Sequence, residues 1–337
     1  MTPEILLLAP VGLLPVLVFL FVLVYMDSYK LVSLRTVLAV IVAGCLAAIA
    51  AYFLNPVLMA HLELEFMPYS RYVAPLVEET LKALVMVFLF RTSRIGFLVD
   101  SAIFGFAVGA GFALVENFYF LQSGSTTHMG VWVVRGFGTA IMHGGVTAIF
   151  GILAQLLSER SMRINPVYYL PGLLAASLLH SIYNHFFVAP VLQAVGTLLI
   201  LPPLLALVFR RSANAMHEWL ELDFDADASL IEMIGSHEFS ESKIGRFLHD
   251  LTRKFEGPVV ADMLCYLRIY TELALRAKGV LMMRENGLEM EVGERTREKF
   301  QELHYLEKSI GKTGCLAMRP FLQMERKDLW QLNVLTK

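Results

Sequence analysis

Charge is the first thing this sequence has little of. Only 17% of its 337 residues are Asp, Glu, Lys or Arg, against 56% hydrophobic, and the mean hydropathy is +0.59. That balance excludes an ordinary soluble globule and a disordered chain. It indicates a polytopic membrane protein with a soluble part attached. Cysteine is also scarce. Cys45, Cys265 and Cys315 form no C-x-x-C pair, which excludes a zinc-finger signature and a disulfide framework. The sequence contains no H-E-x-x-H, and its C-terminal part carries no P-loop, repeat or metal motif. The opening Met-Thr-Pro-Glu has no basic stretch, and the apolar run behind it is too long for a signal peptide. It reads as a retained transmembrane helix.

The few charges are unevenly spread. Residues 1–211 hold 11 Lys/Arg and 9 Asp/Glu, whereas residues 212–337 hold 17 and 21. A domain boundary therefore falls near Arg211. The C-terminal part is slightly acidic, which argues against nucleic-acid binding. Its amphipathic stretches Phe247–Phe255, Val259–Met283 and Thr296–Ile310, the last ending at Gly311, predict a small helical domain, packing or regulatory in role.

Seven apolar stretches approach the roughly 20 residues needed to cross a bilayer. Their approximate limits are 4–26, 36–58, 72–90, 97–121, 131–158, 167–188 and 190–209. The expectation is an all-α bundle of about seven spans with a cytoplasmic helical domain. Cations mark alternate loops: Lys30 and Arg35, Arg91 and Arg94, Arg160 and Arg163, Arg210 and Arg211. The loops between these are poor in cations, with Arg71 in one, none in the Ser123–Gly130 loop and none around Ala189. The positive-inside rule then puts the N-terminus outside and the tail in the cytoplasm.

Against this apolar background the third span stands out. Within Ala74–Phe90 it carries Glu78, Glu79 and Lys82. On a helix, both carboxylates neighbour the ammonium, and ionisable groups at membrane depth mark functional sites. One pair alone would read as a lock between helices. A second, repelling carboxylate gives a tunable proton acceptor. The fourth span pairs Gly105 and Gly109, spaced for close helix packing, with Glu116 and Asn117. The fifth adds His143 among glycines, and the sixth adds His180 and Asn184 on one face. At 1.5 Å per residue, Glu79, Glu116, His143 and His180 lie about 10, 8, 18 and 12 Å below the outer ends of their spans. All four fall in the outer half of the bilayer. Asp100 and Arg135 lie near span ends, where snorkelling accounts for them.

Two chemistries fit this convergence. A buried glutamate can act as general base on water, with His and Asn side chains holding the developing oxyanion. Alternatively, Glu79, Glu116, His143 and His180 can bind a zinc ion that activates water. A proton- or ion-coupled transporter using the same groups as a relay is the rival reading. The halves show no internal similarity of the kind such transporters carry.

The residues Glu78-Glu79-x-x-Lys82, Phe112-x-x-x-Glu116-Asn117, His143 and His180-x-x-Tyr183-Asn184 resemble the PrsW family of intramembrane proteases. That family is related to the CAAX-prenyl endopeptidase and bacteriocin-processing superfamily. The resemblance covers roughly residues 1–211. It implies cleavage of a membrane-anchored substrate, with anti-sigma factors as the type substrate in one lineage and Glu78 and Glu79 as catalytic acids. It also implies a bacterial inner membrane as the setting. Lys82, Glu116, His143, His180 and Asn184 complete the expected site. CAAX-type relatives carry Arg after the Glu pair and His at the end of the F-x-x-x motif. Lys82 and Glu116 stand at the corresponding places here, which favours the PrsW branch over a prenyl-protein substrate. Members have been described as metal-dependent, whereas the CAAX relatives use a metal-free glutamate base.

Overall fold

A computed structural model describes residues 3–123, 128–158, 165–288, 293–322, 330–332 and 335. The expectations resting on Met1 and Thr2, on Arg160 and Arg163, and on residues 124–127 of the Ser123–Gly130 loop lie outside the described residues. Among those described, all regular structure is helical. The chain divides into two compact units, Met1–Ser212 and Ala213–Lys337.

The first unit is a helical membrane bundle. It contains α1 (Pro3–Tyr25), α2 (Leu34–His61), the short α3 (Phe66–Pro68), α4 (Ala74–Arg91) and α5 (Leu98–Ser123). After these come α6 (Met129–Val134), α7 (Ala140–Ser158), α8 (Leu170–Asn184) and the first part of α9 (Pro190–Gly235). Among the described residues, five segments are long and apolar enough to cross a membrane: Leu7–Tyr25, Leu34–His61, Leu98–Ser123, Met129–Ser158 and Pro190–Gly235. The protein is integral to the membrane. The two other expected spans, α4 and α8, differ for physical reasons. α4 carries four charged residues in its 18, and α8 has only 15 residues, about 22 Å of helix.

α5 and α7 form the centre of this unit. α5 is buried along most of its length, from Val99 to Ala113 without a break. Gly109 explains how closely it approaches α7: a Cβ there would lie 2.1 Å from the His143 carbonyl oxygen. The glycine pair thus sets the position of the backbone that carries His143. Asp100 is not a snorkelling residue. It is buried, and its carboxylate accepts from the backbone N–H groups of Gly96 and Phe97 at 2.9 and 3.3 Å. It thereby satisfies donors at the start of α5 that would otherwise be orphaned.

α9 also departs from expectation. It does not end near Phe209 but runs 46 residues to Gly235. No glycine or proline follows Pro203 until Gly235, so nothing breaks the helix where the composition changes. The second unit contains the rest of α9, then α10 (Lys243–Leu251), α11 (Gly257–Glu285) and α12 (Glu294–Met318). α10 starts and stops earlier than the predicted Phe247–Phe255, because Ser242 caps it by accepting from Gly245 N at 3.0 Å. α12 kinks at Gly311, where φ is 66°, a conformation that glycine adopts without strain. Leu267, Leu273 and Met263 of α11 are fully buried in this unit.

Candidate active site

Two π-helical turns introduce the site. Tyr69–Val73 precedes α4, and Arg135–Thr139 precedes α7. Such wide turns are rare and are frequently found at functional sites. Here α8 uses them. Asn184 donates its amide to the Ser70 carbonyl at 2.9 Å, and the Ser181 hydroxyl donates to that of Arg71 at 2.6 Å. These bonds tie the helix bearing His180 to the segment leading into Glu78 and Glu79. Asn184 is therefore not drawn into the acid–histidine cluster, contrary to the sequence expectation. Its amide is used to hold the backbone.

The other six expected residues come together. Glu79, Lys82, His143 and His180 are all buried. Lys82 Nζ lies 2.5 Å from Glu79 Oε1 and 3.1 Å from His143 Nδ1. His180 Nδ1 lies 2.8 Å from Glu79 Oε1. His143 Nε2 lies 3.1 Å from Glu116 Oε2, and the two imidazole rings meet edge to face with centroids 4.7 Å apart. The chemistry of the partners fixes which atoms donate. A carboxylate only accepts, so His180 Nδ1 donates to Glu79. An ammonium only donates, so His143 Nδ1 accepts and its Nε2–H is given to Glu116.

The carboxylates face different ways. Glu79 is fully enclosed, with Thr147 Oγ1 3.5 Å from its second oxygen. Glu78 and Glu116 are partly open, with side-chain exposures of 16% and 31%. Both line a largely apolar groove of about 540 Å³. Glu78, His143 and His180 each offer one donor atom, and these atoms lie within 4.8 Å of one another. This grouping keeps both histidines of the expected metal set but replaces its two glutamates, Glu79 and Glu116, with Glu78. Glu79 is taken up by Lys82 and His180. Glu116 faces His143 and Arg135, the latter 3.5 Å away.

Residues 32–208 match a known family, described as PrsW family intramembrane metalloprotease. The chain belongs to the PrsW family of intramembrane proteases. No curated protein and no solved structure matches it. Membership establishes a membrane-embedded protease acting on membrane-anchored protein substrates, as the early motifs implied.

Several side chains around this PrsW site were not legible as part of it. Arg135 was assigned to snorkelling, yet its Nε donates to Asn117 Oδ1 at 2.9 Å and its guanidinium stacks 3.8 Å over the Phe120 ring. Asn117 in turn donates to the Gly12 carbonyl at 2.7 Å. Glu78 is held by Asn55 Nδ2 at 3.2 Å, and Asn55 accepts from Tyr69 Oη at 2.9 Å. A lone Asn in the apolar α2 is itself a signal, since a polar group at that depth needs a partner. Thr147, four residues after His143, shares its helix face.

Proposed function

We propose that residues 1–211 hydrolyse a peptide bond of a membrane-anchored protein in the outer half of the bilayer, with Glu78, His143 and His180 as donors to a zinc ion. The observation that carries this reading is the convergence of those three donors, two buried histidines and the half-buried Glu78, a Glu/His₂ set of the kind catalytic zinc uses. Glu79 supports it by accepting the Nδ1 proton of His180, the outer-shell bond that fixes a ligating imidazole. Zinc bound there would supply Lewis acidity and a water of lowered pKa. Lys82 holds Glu79 in place and orients His143. Glu116, open to the groove, takes a proton from the attacking water and returns it to the leaving amine. Water adds to the scissile carbonyl carbon and the C–N bond breaks, so atoms and protons balance. To bind through Nε2, His143 would take its other neutral tautomer, the ring proton moving from Nε2 to Nδ1 and the contact with Lys82 giving way, so that Glu116 stays unprotonated.

The engagement of both His143 nitrogens favours a second reading, a metal-free reaction with Glu78 as the base. Zinc content and chelation separate the two. The metal reading expects one zinc per purified chain, and cleavage lost on chelation and restored by zinc. Full activity in metal-depleted protein supports the glutamate base.

The same proposal includes the topology. The cation-bearing loops support an outside N-terminus and a cytoplasmic tail in a bacterial inner membrane. An anti-sigma factor is the proposed type of substrate, and residues 212–337 are a proposed regulatory domain. A reporter fused after Lys337 should read cytoplasmic and one within residues 123–130 external; the reverse pattern would contradict the depth assignment.

A further inference from the structure

The groove that reaches Glu78 and Glu116 runs between α2 and α5. Its inner wall is built from small or apolar side chains, Ala48 and Ala51 of α2 and Phe112 of α5, all buried. Its rim is aromatic, with Tyr52 and Phe118 about half exposed. Two uncharged polar side chains, Asn55 and Gln122, also line it. This composition suits an occupant that arrives through lipid. It does not suit a polar peptide arriving from water.

The volume limits what the occupant presents. A 20-residue helical span is about 30 Å long and 10–12 Å wide, several times the groove's 540 Å³. Only a short stretch enters. A scissile carbonyl must also leave its helical hydrogen bond to be attacked, and backbone groups freed at membrane depth need new partners. Asn55 uses one of its two amide hydrogens on Glu78, which leaves the other for such a carbonyl. We propose that the α2–α5 groove is the substrate-binding cleft: it receives a few unwound residues of a transmembrane segment and presents their backbone to Glu78 and Glu116. This inference rests on the protease site described above and adds the route and conformation of its substrate.

The test uses full-length protein and a single-span reporter, taken from a library with randomised apolar segments for being cut by the wild type and not by Glu78→Gln. Ile49 lines the groove and is 43% exposed, so Ile49→Trp fills the cleft without entering the core. It should lower reporter cleavage at least tenfold while zinc content and melting temperature stay at wild-type values. A photo-crosslinking residue at Phe118 in the Glu78→Gln background should form an adduct that maps to the reporter's apolar segment. The same residue at Leu84, exposed on α4 and outside the groove, should form none. Wild-type cleavage by Ile49→Trp, or equal adducts from Leu84, would overturn the cleft and leave the site reading intact. A library in which no cleavage depends on Glu78 would overturn the site reading and the cleft with it.

Discussion

Both units of this protein bury a lysine beneath an aromatic ring and beside carboxylates. In the membrane unit, Lys82 Nζ lies 4.6 Å from the Phe112 ring centroid and 2.5 Å from Glu79. In the C-terminal unit, Lys278 Nζ lies 5.2 Å from the Trp219 centroid, 2.7 Å from Asp227 and 3.8 Å from Asp223. The local chemistry is alike and the surroundings are not. Around Lys278 the cavity is about 40 Å³, room for about one water. Around Lys82, two imidazoles and two further carboxylates converge, and a groove more than ten times larger opens onto them. A buried ammonium–carboxylate pair is therefore a tie between elements in one unit and the foundation of a donor cluster in the other. The surplus of donors beyond the pair marks the site.

That contrast can be broken most strongly at His180. His180→Ala removes a donor that has no counterpart near Lys278. Cleavage should fall by about 10²–10⁴-fold, the range lost with a group that acts directly in the reaction, and bound zinc should be lost with it, as metal analysis of the purified variant would show. Retained zinc and activity would put His180 on the structural side of the comparison.

The two lysines give the next test. Lys82→Met leaves Glu79 buried without its cation, with His180 and Thr147 remaining, and breaking such a pair costs about 3–5 kcal/mol. Asp223 and Asp227 are about one quarter exposed. Lys278→Met should cost less, between the roughly 1 kcal/mol of an exposed pair and the lower end of the buried range, and should leave cleavage per folded molecule unchanged. Chemical denaturation with a cleavage assay measures both. Equal costs, or loss of cleavage from Lys278→Met, would erase the distinction.

A smaller effect is expected at Arg135. Arg135→Gln removes the support of Glu116 and Asn117 without touching the donors. Outer-shell losses of this kind cost about 10–100-fold. Cleavage should drop within that range at unchanged zinc content.

The smallest effect concerns the C-terminal tie alone. Burial holds the Asp227 carboxyl above its usual value of 3.8, with Lys278 opposing. A raised folded pKa means the folded state binds the proton more tightly. Asp227's contribution is then fully present below about 3.8 and is lost as pH rises through the raised value. Asp227→Asn should flatten the melting temperature of this unit across that window. An unaltered pH profile would show that burial and the ion pair to Lys278 cancel, and a steepened one that the ion pair dominates.

The sequence carried the fold class because apolar run length is the strongest signal a chain offers. It carried most of the site because charges are conspicuous in such runs. Glu78, Glu79, Lys82, Glu116, His143 and His180 were all legible and do meet. What was not legible depends on direction. Asn184 shares a helix face with His180, yet its amide turns to the Ser70 carbonyl of the π-helical turn. Arg135 sits at a depth where snorkelling is cheap, but α5 offers it Asn117, Glu116 and Phe120 together. Which glutamate faces the histidines is set by side-chain orientation within one turn, and spacing cannot separate Glu78 from Glu79. The continuation of α9 past Phe209 was hidden because a shift in charge resembles a boundary even where no breaker interrupts the helix.

The central claim is that the Glu78 carboxylate does chemistry and is not a structural tie. The direct measurement is the cleavage rate per folded molecule of Glu78→Gln, with melting temperature recorded on the same preparation. Glutamine keeps an oxygen for the Asn55 amide and removes only the charge. The account predicts a rate at least about 100-fold below wild type, within the range lost with such groups, and an unchanged melting temperature. Wild-type cleavage, or a defect confined to loss of folded protein, would contradict it.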